Sequence, residues 1–449
     1  MARLPHEPLQ YHMYSGPPSN VANLPPQQKH IGHFFISDTL RHELTEKNFA
    51  RLNYTSTDPS IPNEVNQYHS LMPLEDTDRG TRGAIGYVTV VYKAQSSRDG
   101  LIYALRRIEG FRLMNEDAMS VVETWRKIQH PNIASLYEAF TTTVFDDNSL
   151  VLVYDYYPLA VTMRDFYFGQ SGMAPSGAVG PVQHNQSIPE ATLWSYVIQL
   201  ASALSTVHAM GLAFRTITLE HILMIDKHRL SLDRAGILDL VTYDMPGNVT
   251  QFQREDLSCI GRILIILACG NLHALTHTKE ALAFIQRTYS ASFKQVIMYL
   301  LGRLGPGRNV EDLLRIVGPR IFDELNAQQR QNDLLQAELS RELENARLVR
   351  LLTKFGFINE RPEFNREADW SETGDRYLIK LFRDFVFHQV DEHGRPVVDM
   401  AHVLTCLNKL DAGVSERVML TSRDEQSCLI VSYRDIKQCI ENAFHELQQ

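Results

Sequence analysis

The chain has 449 residues, and its 44 Lys and Arg against 53 Asp and Glu give a formal net charge of −9. A hydrophobic content of 44% is ordinary for globular proteins, so it excludes wholesale disorder and leaves room for about three domains. The acidic excess gives no whole-molecule attraction to phosphates, so nucleic-acid binding would need a local basic patch.

Cysteine usage and hydropathy indicate where the protein works. The five cysteines are odd in number and form no C-x-x-C pair, which argues for reduced thiols inside the cell and against a disulfide framework or a zinc ribbon. The longest purely apolar run, 263–269, is far shorter than the ~20 residues of a spanning helix. With no signal peptide recognised, we expect a soluble protein that is not secreted and has no membrane partner.

Residues 1–70 are rich in proline and predict an extended N-terminal segment. One helix is expected within it at 33–54, with Ser37 or Asp38 as its cap and an end near Asn53. The rest of the segment is expected to lie on, or to be tethered to, the domain that follows.

A β-rich stretch starts at residue 71. The sequence YVTVVYKAQ alternates apolar and polar residues, SRDG is typical of a hairpin turn, and LIYALRRIEG alternates again. A helix is expected at 116–129, and two further strands are expected at 133–145 and 149–156. These elements predict a five-stranded N-terminal lobe over 71–157.

Helices dominate the next part of the chain, 158–318. After the Gly- and Ser-rich loop at 169–187, the sequence PEATLWSYVIQLASALSTVHAMG carries an i, i+3, i+4 apolar stripe and ends in a glycine. A short β-rich stretch at 221–241 precedes further amphipathic helices. We therefore expect an α+β chain whose second lobe is mostly helical.

Residues 319–352 are predicted to form a coiled coil, because a charged, Gln- and Asn-rich sequence carries a heptad seam of about four repeats. Two d positions, Gln328 and Glu342, break the seam. A homodimer is expected to close over the remaining seam positions, which include Leu325, Asn332, Leu335, Leu339 and Val349. The final residues, 353–449, predict a small, α-rich, knob-like C-terminal domain.

The order of motifs between 80 and 318 resembles the protein kinase fold. GTRGAIGYVTVVYKA resembles the glycine-rich phosphate loop, YALR the strand that carries the kinase lysine, and HPNI the turn after helix C. LVLVYDYY resembles the hinge, GLAFRTITLEHILMI the catalytic loop, and EDLSCIGRILI the helix whose aspartate anchors that loop. The resemblance implies a two-lobed, kinase-like fold followed by the coiled-coil helix and the C-terminal domain.

The residues that perform phosphoryl transfer are replaced in these motifs. The lysine position is Arg106, the position of the aspartate base is Thr216, and that of the metal-binding asparagine is His221. Arg234 stands where the metal-binding aspartate of the D-F-G triplet belongs, whereas Asp256, which serves the architecture, is retained. The sequence therefore predicts a pseudokinase with no catalytic residue and no metal site.

Nucleotide binding is still expected, because backbone groups of the glycine-rich loop and the hinge do not depend on the lost side chains. The loop glycines could hold phosphates or could merely form a hairpin. Arg106 could pair with a phosphate or sit solvated at a strand edge, and Glu220 and His221 could contact phosphates or merely finish a turn. The candidate nucleotide-binding residues are Gly83, Gly86, Val88, Arg106, Asp155, Tyr156, Tyr157, Thr162, Glu220 and His221.

The chain as a whole is similar to one family, the regulatory pseudokinase subunit of the Pan poly(A)-nuclease deadenylation complex. The stretches that carry this resemblance are ALRRIEGFRL, GLAFR, INERPEF, WSETGDRYLIKLFRDFVFHQ, CLNKLDAG and SRDEQS. The resemblance implies a homodimer that binds ATP without hydrolysing it and helps to bind poly(A) RNA. It also implies that the coiled coil and the C-terminal domain recruit the catalytic nuclease subunit.

Further expectations follow from the same resemblance. It implies poly(A)-binding protein and glycine-tryptophan-repeat microRNA effectors as partners, and a cytoplasmic location in P-bodies. The family's zinc finger and its motif for poly(A)-binding protein have no counterpart in this sequence, so those two activities are not expected of this chain.

Two rival functions remain open at this point. An unusual active kinase would use Asp233 or Asp239 for the metal and Arg106 for the phosphates. A coiled-coil adaptor would keep only a vestigial nucleotide pocket. For RNA, 79–130 carries nine Lys and Arg against five acids, so it predicts a phosphate-binding surface that includes Arg107 and Lys127. A charge run of this kind is more often only a solvated face.

Overall fold

The computed structural model describes residues 24–25, 28, 35–53, 60–74, 86–169, 187–226, 229–245, 247–302, 307–364, 374–424 and 426–447. The chain divides into two compact units, one spanning 42–327 and the other joining 1–41 to 328–449. The first unit contains the two kinase-like lobes, and the second contains the C-terminal domain. In the described part of the chain, no helix is both long and apolar enough to cross a membrane.

A six-stranded antiparallel sheet forms the N-terminal lobe. Its strands are β1 Glu64–Val65, β2 Tyr68–Pro73, β3 Thr89–Ser96, β4 Ile102–Ile108, β5 Leu136–Thr142 and β6 Ser149–Asp155. Their spatial order is β1-β2-β3-β4-β6-β5. Leu105 and Val153 pack in a small cluster on one face, whereas Leu152 and Tyr154 join the main core on the other. Because side chains alternate along a strand, Arg106 lies on the main-core face.

Strand β1 and the start of β2 lie before residue 71, so the sheet has six strands where the sequence predicts five. Residues 64–70, expected in the extended N-terminal segment, pair with each other and with β3. Ser70 has a φ of 58°, and the pairing register shifts between His69 and Met72. This irregularity breaks the period-two pattern by which a strand is recognised in a sequence.

Two helices precede or interrupt the strands of the N-terminal lobe along the chain. Helix α1, Asp38–Leu52, lies within the range 33–54 where the sequence predicts a helix. A 3-10 turn, Glu116–Met119, leads into the short helix α2, Ser120–Arg126. Helix α2 is therefore shorter than the range 116–129 in which the sequence predicts a helix.

The C-terminal lobe is mostly helical, as the sequence predicts. Its helices in the described ranges are α3 Met163–Phe168, α4 Glu190–Ala209, α5 Ile237–Val241, α6 Val249–Cys269, α7 Thr278–Thr288 and α8 Ala291–Leu300. A small sheet is formed by β7 Val161–Thr162, β8 Ile222–Met224 and β9 Leu230–Leu232. Helices α4 and α6 bury most of their apolar residues and form the centre of the core that supports the cleft.

The predicted coiled-coil range lies inside one long helix, α9 Val310–Phe364, of 55 residues. The sequence predicts a boundary at residue 318, because the chain beyond it is charged and rich in Gln and Asn, and Pro319 itself disfavours a helix interior. The helix nevertheless continues through both residues and past 352.

The C-terminal domain packs on the last turns of α9. Its further elements are α10 Gly374–Phe387, α11 Met400–Ala412, β10 Arg417–Thr421, β11 Cys428–Ser432 and α12 Tyr433–Glu446. Leu348, Leu351 and Phe355 of α9 are buried in one cluster with Phe382 and Tyr433. A charged, exposed helix thus becomes stable at this end because the domain covers its apolar face.

Candidate functional site

Asp256 on α6 holds the counterpart of the kinase catalytic loop in place. Its carboxylate is 1% exposed. Oδ2 accepts a hydrogen bond from Phe214 N at 2.7 Å and lies 3.0 Å from His208 Nε2, while Oδ1 accepts one from Arg215 N at 2.7 Å. A buried carboxylate is tolerated when its oxygens are satisfied in this way. The aspartate retained in the sequence therefore fixes the path of the loop.

Asp239 is engaged by structural donors. Its Oδ1 accepts a hydrogen bond from Arg215 Nη1 at 3.0 Å, and its Oδ2 accepts one from Trp125 Nε1 at 2.9 Å. The guanidinium of Arg215 also lies 4.2 Å from the ring centroid of Phe252. The rival hypothesis that Asp239 binds a catalytic metal gains no support from this geometry.

A buried ion pair occupies the place where kinases hold phosphate and metal. Arg106 is 3% exposed, and its Nη2 pairs with Oδ2 of Asp233, which directly follows β9. Burial alone would raise the pKa of the Asp233 carboxyl, but the guanidinium groups of Arg106 and Arg234 hold it below its usual range. Arg106 is therefore not solvated at a strand edge; it faces the cleft as an ionised partner.

Asp233 is the site residue that the candidate set omits. In the sequence, Arg234 aligns with the metal-binding aspartate of the D-F-G triplet, and Asp233 lies one position before it. A usable signal existed, because an acid directly after the apolar strand Leu230–Leu232 is rarely buried without a cationic partner. The arginine at position 106 supplies that partner.

His221 and Thr216 occupy the positions of the metal-binding asparagine and the base. His221 Nδ1 lies 3.0 Å from Thr216 O, and His221 O accepts a hydrogen bond from Asp233 N at 2.9 Å. Burial, together with the charges of Arg234 and Arg106, lowers the pKa of His221 to about 4, so the imidazole is neutral at physiological pH. The buried Thr216 hydroxyl has no hydrogen-bond partner among the described residues. A threonine hydroxyl is no substitute for the carboxylate base of a kinase.

The hinge follows β6 and is oriented by the side chain of Asp155. Its Oδ2 accepts a hydrogen bond from Ser135 N at 2.9 Å and a longer one from the Tyr157 hydroxyl at 3.4 Å. Its Oδ1 accepts one from the Tyr137 hydroxyl at 2.7 Å. The carboxylate is thus used within the protein, and the peptide groups of the hinge are the candidate contacts for a ligand.

The glycine-rich segment is described only from Gly86 onward, so Gly83 lies outside the described residues. Gly86 has a φ of 79°, and an added Cβ would meet nothing within 4 Å. Glycine is favoured there by its backbone conformation and not by crowding. Val88 is half-buried, and its carbonyl accepts a hydrogen bond from Glu109 N at 3.0 Å, which ties the segment to the end of β4.

Thr162 and Glu220 lie at the C-terminal lobe. Thr162 caps α3, because its Oγ1 accepts a hydrogen bond from Asp165 N at 3.1 Å. Glu220 forms an exposed ion pair with Arg164 at 2.9 Å. Burial would raise the pKa of Glu220, but hydrogen bonds from its own N–H and from Thr218, with the charge of Arg164, hold it below its usual range. Both side chains therefore have partners within the protein.

Among the described residues, not all of the basic patch predicted over 79–130 is available as an RNA surface. Lys93 is 1% exposed and Arg106 is 3% exposed, so neither belongs to an exposed RNA surface. Arg107 is ion-paired with Asp147 at 3.0 Å. The prediction is therefore wrong for Lys93 and Arg106, and for the exposed basic residues it stays a prediction.

Comparison with known proteins identifies relatives over nearly the whole chain. Residues 310–447 match the family model described as the Pan3 C-terminal knob domain. The PAN2-PAN3 deadenylation complex subunit PAN3 of Cryptococcus neoformans is 44% identical over 99% of this chain and 67% of its own length. The Homo sapiens protein of that name is 42% identical over 97% of this chain and 52% of its own length. The chain thus spans between about half and two thirds of these curated relatives.

A solved structure shares both the fold and the sequence. It is the complex of Neurospora crassa PAN2 (WD40-CS1) with PAN3 (pseudokinase and C-term). One of its chains matches 92% of this chain and 100% of its own length, with a TM-score of 0.81 and 38% identity. With a kinase-like cleft whose phosphoryl-transfer residues are replaced, and with these identities, the chain belongs to the PAN3 family of pseudokinases.

Proposed function

We propose that this protein is a non-catalytic scaffold of the poly(A)-specific deadenylase complex. In this role it is a homodimer that binds ATP without hydrolysing it and recruits the catalytic nuclease subunit for shortening of mRNA poly(A) tails. The observation that carries the proposal is the retained Asp256 anchor beside the replaced positions Arg106, Thr216 and His221. The PAN2–PAN3 complex solved for the Neurospora crassa relative supports the recruiting role.

Arginines and backbone groups in the cleft favour a nucleotide. The hinge after Asp155 offers peptide groups, to which adenine binds in kinases. Arg106 and Arg234 supply two positive charges against the carboxylate of Asp233, while His221 is neutral. This local excess of positive charge suits a polyphosphate, because guanidinium groups bind phosphate oxygens well.

Magnesium does not fit this arrangement. Mg²⁺ prefers oxygen ligands in near-octahedral geometry, commonly one or two carboxylates with phosphate oxygens and water. Asp233, which would be such a ligand, is ion-paired with Arg106. We therefore expect the nucleotide to bind without a metal.

The exposed seam of α9 supports the homodimer. Leu325, Leu335, Leu339 and Val349 are 47%, 45%, 62% and 63% exposed, and the polar Asn332 is exposed among them. Apolar residues at heptad spacing form a stable seam when a second helix covers them, and one asparagine at an a position fixes its register. A second copy of the chain is the occupant that this self-complementary pattern favours.

Light scattering of two variants tests the dimer. Leu335→Asp with Leu339→Asp places two charges in the seam and should yield a monomer, because buried unpaired carboxylates are strongly unfavourable. Leu334→Asp is the matched control, since Leu334 is 69% exposed but lies at a c position, and it should remain dimeric.

A pull-down of the catalytic nuclease subunit by the same variants separates assembly from recruitment. The monomeric variant should lose affinity for the nuclease, whereas the control should keep it. A double variant that stays dimeric would place the interface elsewhere. A monomer that recruits the nuclease with full affinity would contradict the proposed route to function.

Contacts with poly(A) RNA and glycine-tryptophan-repeat effectors, and a location in P-bodies, are proposed on family membership, whereas contact with poly(A)-binding protein is not, because the family's motif for it has no counterpart in this sequence. Since Lys93, Arg106 and Arg107 are engaged inside the lobe, an RNA surface would use exposed basic residues such as Arg98 and Lys127. Affinity carried by such residues should fall as salt rises, because phosphates would supply most of the contact.

A further inference from the structure

Helix α1 precedes the kinase-like lobes and has no fully buried residue. A helix of 15 residues is marginal in water by itself, so contacts with the rest of the protein must hold it. The contacts of its second half are polar, and they reach three different parts of the first unit.

Lys93 on β3 caps the C-terminal end of α1. Its ammonium group donates hydrogen bonds to Ala50 O at 2.9 Å, to Arg51 O at 3.4 Å and to Asn53 O. The last carbonyls of a helix lack partners within it and carry the negative end of its dipole. Because Lys93 is 1% exposed and burial lowers its pKa, these carbonyls offset the cost of burying its charge.

This cap lies on the cleft side of the sheet, next to the hinge. Lys93 stands opposite Ala104 in the pairing of β3 with β4, two residues from Arg106. Directly opposite residues share a face, as do alternate residues of one strand, so Lys93 and Arg106 lie on the same face. The hydroxyl of the hinge residue Tyr156 also donates to Ala50 O at 3.4 Å.

A third contact of α1 reaches the C-terminal lobe. Lys47 Nζ lies 3.5 Å from both carboxylate oxygens of Asp226, in the turn between β8 and β9. It also pairs with Glu43 at 2.8 Å. An exposed pair of this kind contributes less than about 1 kcal/mol, so it orients the helix while Lys93 holds it. Helix α1 therefore touches the N-terminal lobe, the hinge and the C-terminal lobe.

We propose that α1 is a strap that restrains the two lobes relative to each other and so sets the geometry of the cleft. Lobe closure in such folds occurs at a hinge, and an element that contacts the hinge and both lobes opposes that motion. Release of the strap weakens nucleotide binding; this consequence rests on the proposed ATP site. By thermodynamic reciprocity, a bound nucleotide in turn stabilises the docked helix.

Hydrogen–deuterium exchange on the full chain tests the strap without any nucleotide. Lys93→Met keeps the aliphatic length but removes the donors, so amides of 42–52 should exchange about tenfold faster. Amides of 222–232 in the C-terminal lobe should also exchange faster, because the helix no longer restrains that turn. Lys279→Met, at an exposed lysine of α7, is the matched control and should change neither segment.

A second variant guards against a general loss of folding in Lys93→Met. Asp226→Asn removes only the exposed C-lobe contact and should speed exchange of 42–52 about twofold, in line with the small value of an exposed pair. Unchanged exchange of 42–52 in both variants would overturn the proposal. Faster exchange of 42–52 with no change at 222–232 would also overturn it, because the helix would then belong to one lobe alone.

Titration of ATP into the same proteins tests the consequence for the cleft. Lys93→Met should weaken binding several-fold relative to Lys279→Met, and ATP should slow exchange of 42–52 in the unmodified protein. Equal ATP affinities in the two variants would overturn the link between strap and cleft. No ATP binding by the unmodified protein would instead overturn the proposed nucleotide function, and the exchange measurements would still decide the strap.

Discussion

The kinase-like cleft has an anchoring end, where Asp256 holds the counterpart of the catalytic loop, and a chemical end, where kinases handle phosphate and metal. The two ends differ in what they keep of the kinase arrangement. At one end, Asp256 holds the backbone N–H groups of Phe214 and Arg215, as the corresponding aspartate does in kinases. At the other end, the groups that would handle phosphate and metal are replaced by the buried pair of Arg106 and Asp233. At the anchoring end, the carboxylate of Asp256 binds backbone groups and supports the fold. At the chemical end, the corresponding kinase side chains serve phosphoryl transfer alone.

This difference shows that a site which has lost its reaction can acquire a role in the stability of the fold. Arg106, at the position of the kinase lysine, now forms a buried ion pair with Asp233, with a neutral His221 beside it. A buried charge is tolerated only beside a partner of opposite charge. The chemical end has therefore acquired a structural task, which we expect to be smaller than that of the anchoring end.

The largest effect is expected at the anchoring end. Asp256→Asn replaces a carboxylate that accepts from Phe214 N and Arg215 N by an amide with a single acceptor oxygen. The free energy of unfolding should fall by about 3–5 kcal/mol, because charge-assisted bonds are lost and a buried donor is left unsatisfied. Urea unfolding followed by tryptophan fluorescence measures the change.

Glu255→Gln is the control for this prediction, since Glu255 is the exposed neighbour of Asp256 on α6. It should change the free energy of unfolding by less than about 0.5 kcal/mol. Equal losses in the two variants would show that the anchor has no special role in this chain.

A smaller effect is expected at the chemical end. Arg106→Met leaves the carboxylate of Asp233 buried beside Arg234 with one cation removed, and should lower the free energy of unfolding by about 3 kcal/mol. Adding Asp233→Leu removes the stranded charge, so the double variant should regain most of that loss. The same urea experiment measures both.

A double-mutant cycle over Arg106 and Asp233 tests whether the two residues are energetically coupled. If the losses of Arg106→Met and Asp233→Leu simply add, the two residues are not coupled and the ion pair is not a structural unit. Arg98→Met, at an exposed arginine of the same lobe, controls for loss of a surface charge and should be close to neutral.

Sequence reasoning succeeded where the fold depends on spaced local motifs. The catalytic-loop motif and the anchoring Asp256 lie about 40 residues apart, and each is recognisable by itself. Residues 319–352 are helical as predicted, whereas the pairing of two such helices in a coiled coil stays a prediction. The C-terminal lobe could be predicted from the apolar stripe of Glu190–Ala209.

What could not be predicted depends on contacts between distant residues. The pairing of Arg106 with Asp233 joins positions 127 apart, and no local pattern encodes it. The same holds for Lys93, which as a sequence looked like part of a basic patch but is buried as the cap of α1. A charge in a sequence does not show whether it will meet solvent or a partner.

We propose above that the cleft binds a nucleotide through arginine and backbone groups and has lost the chemistry of phosphoryl transfer. Calorimetric titration of ATP into the purified chain, once with magnesium and once with EDTA, tests it most directly. We expect dissociation constants that agree within about threefold in the two conditions, and binding roughly tenfold weaker in the Arg106→Met variant, which removes the local excess of positive charge. Binding that appears only with magnesium, or that is unchanged in that variant, would contradict the account.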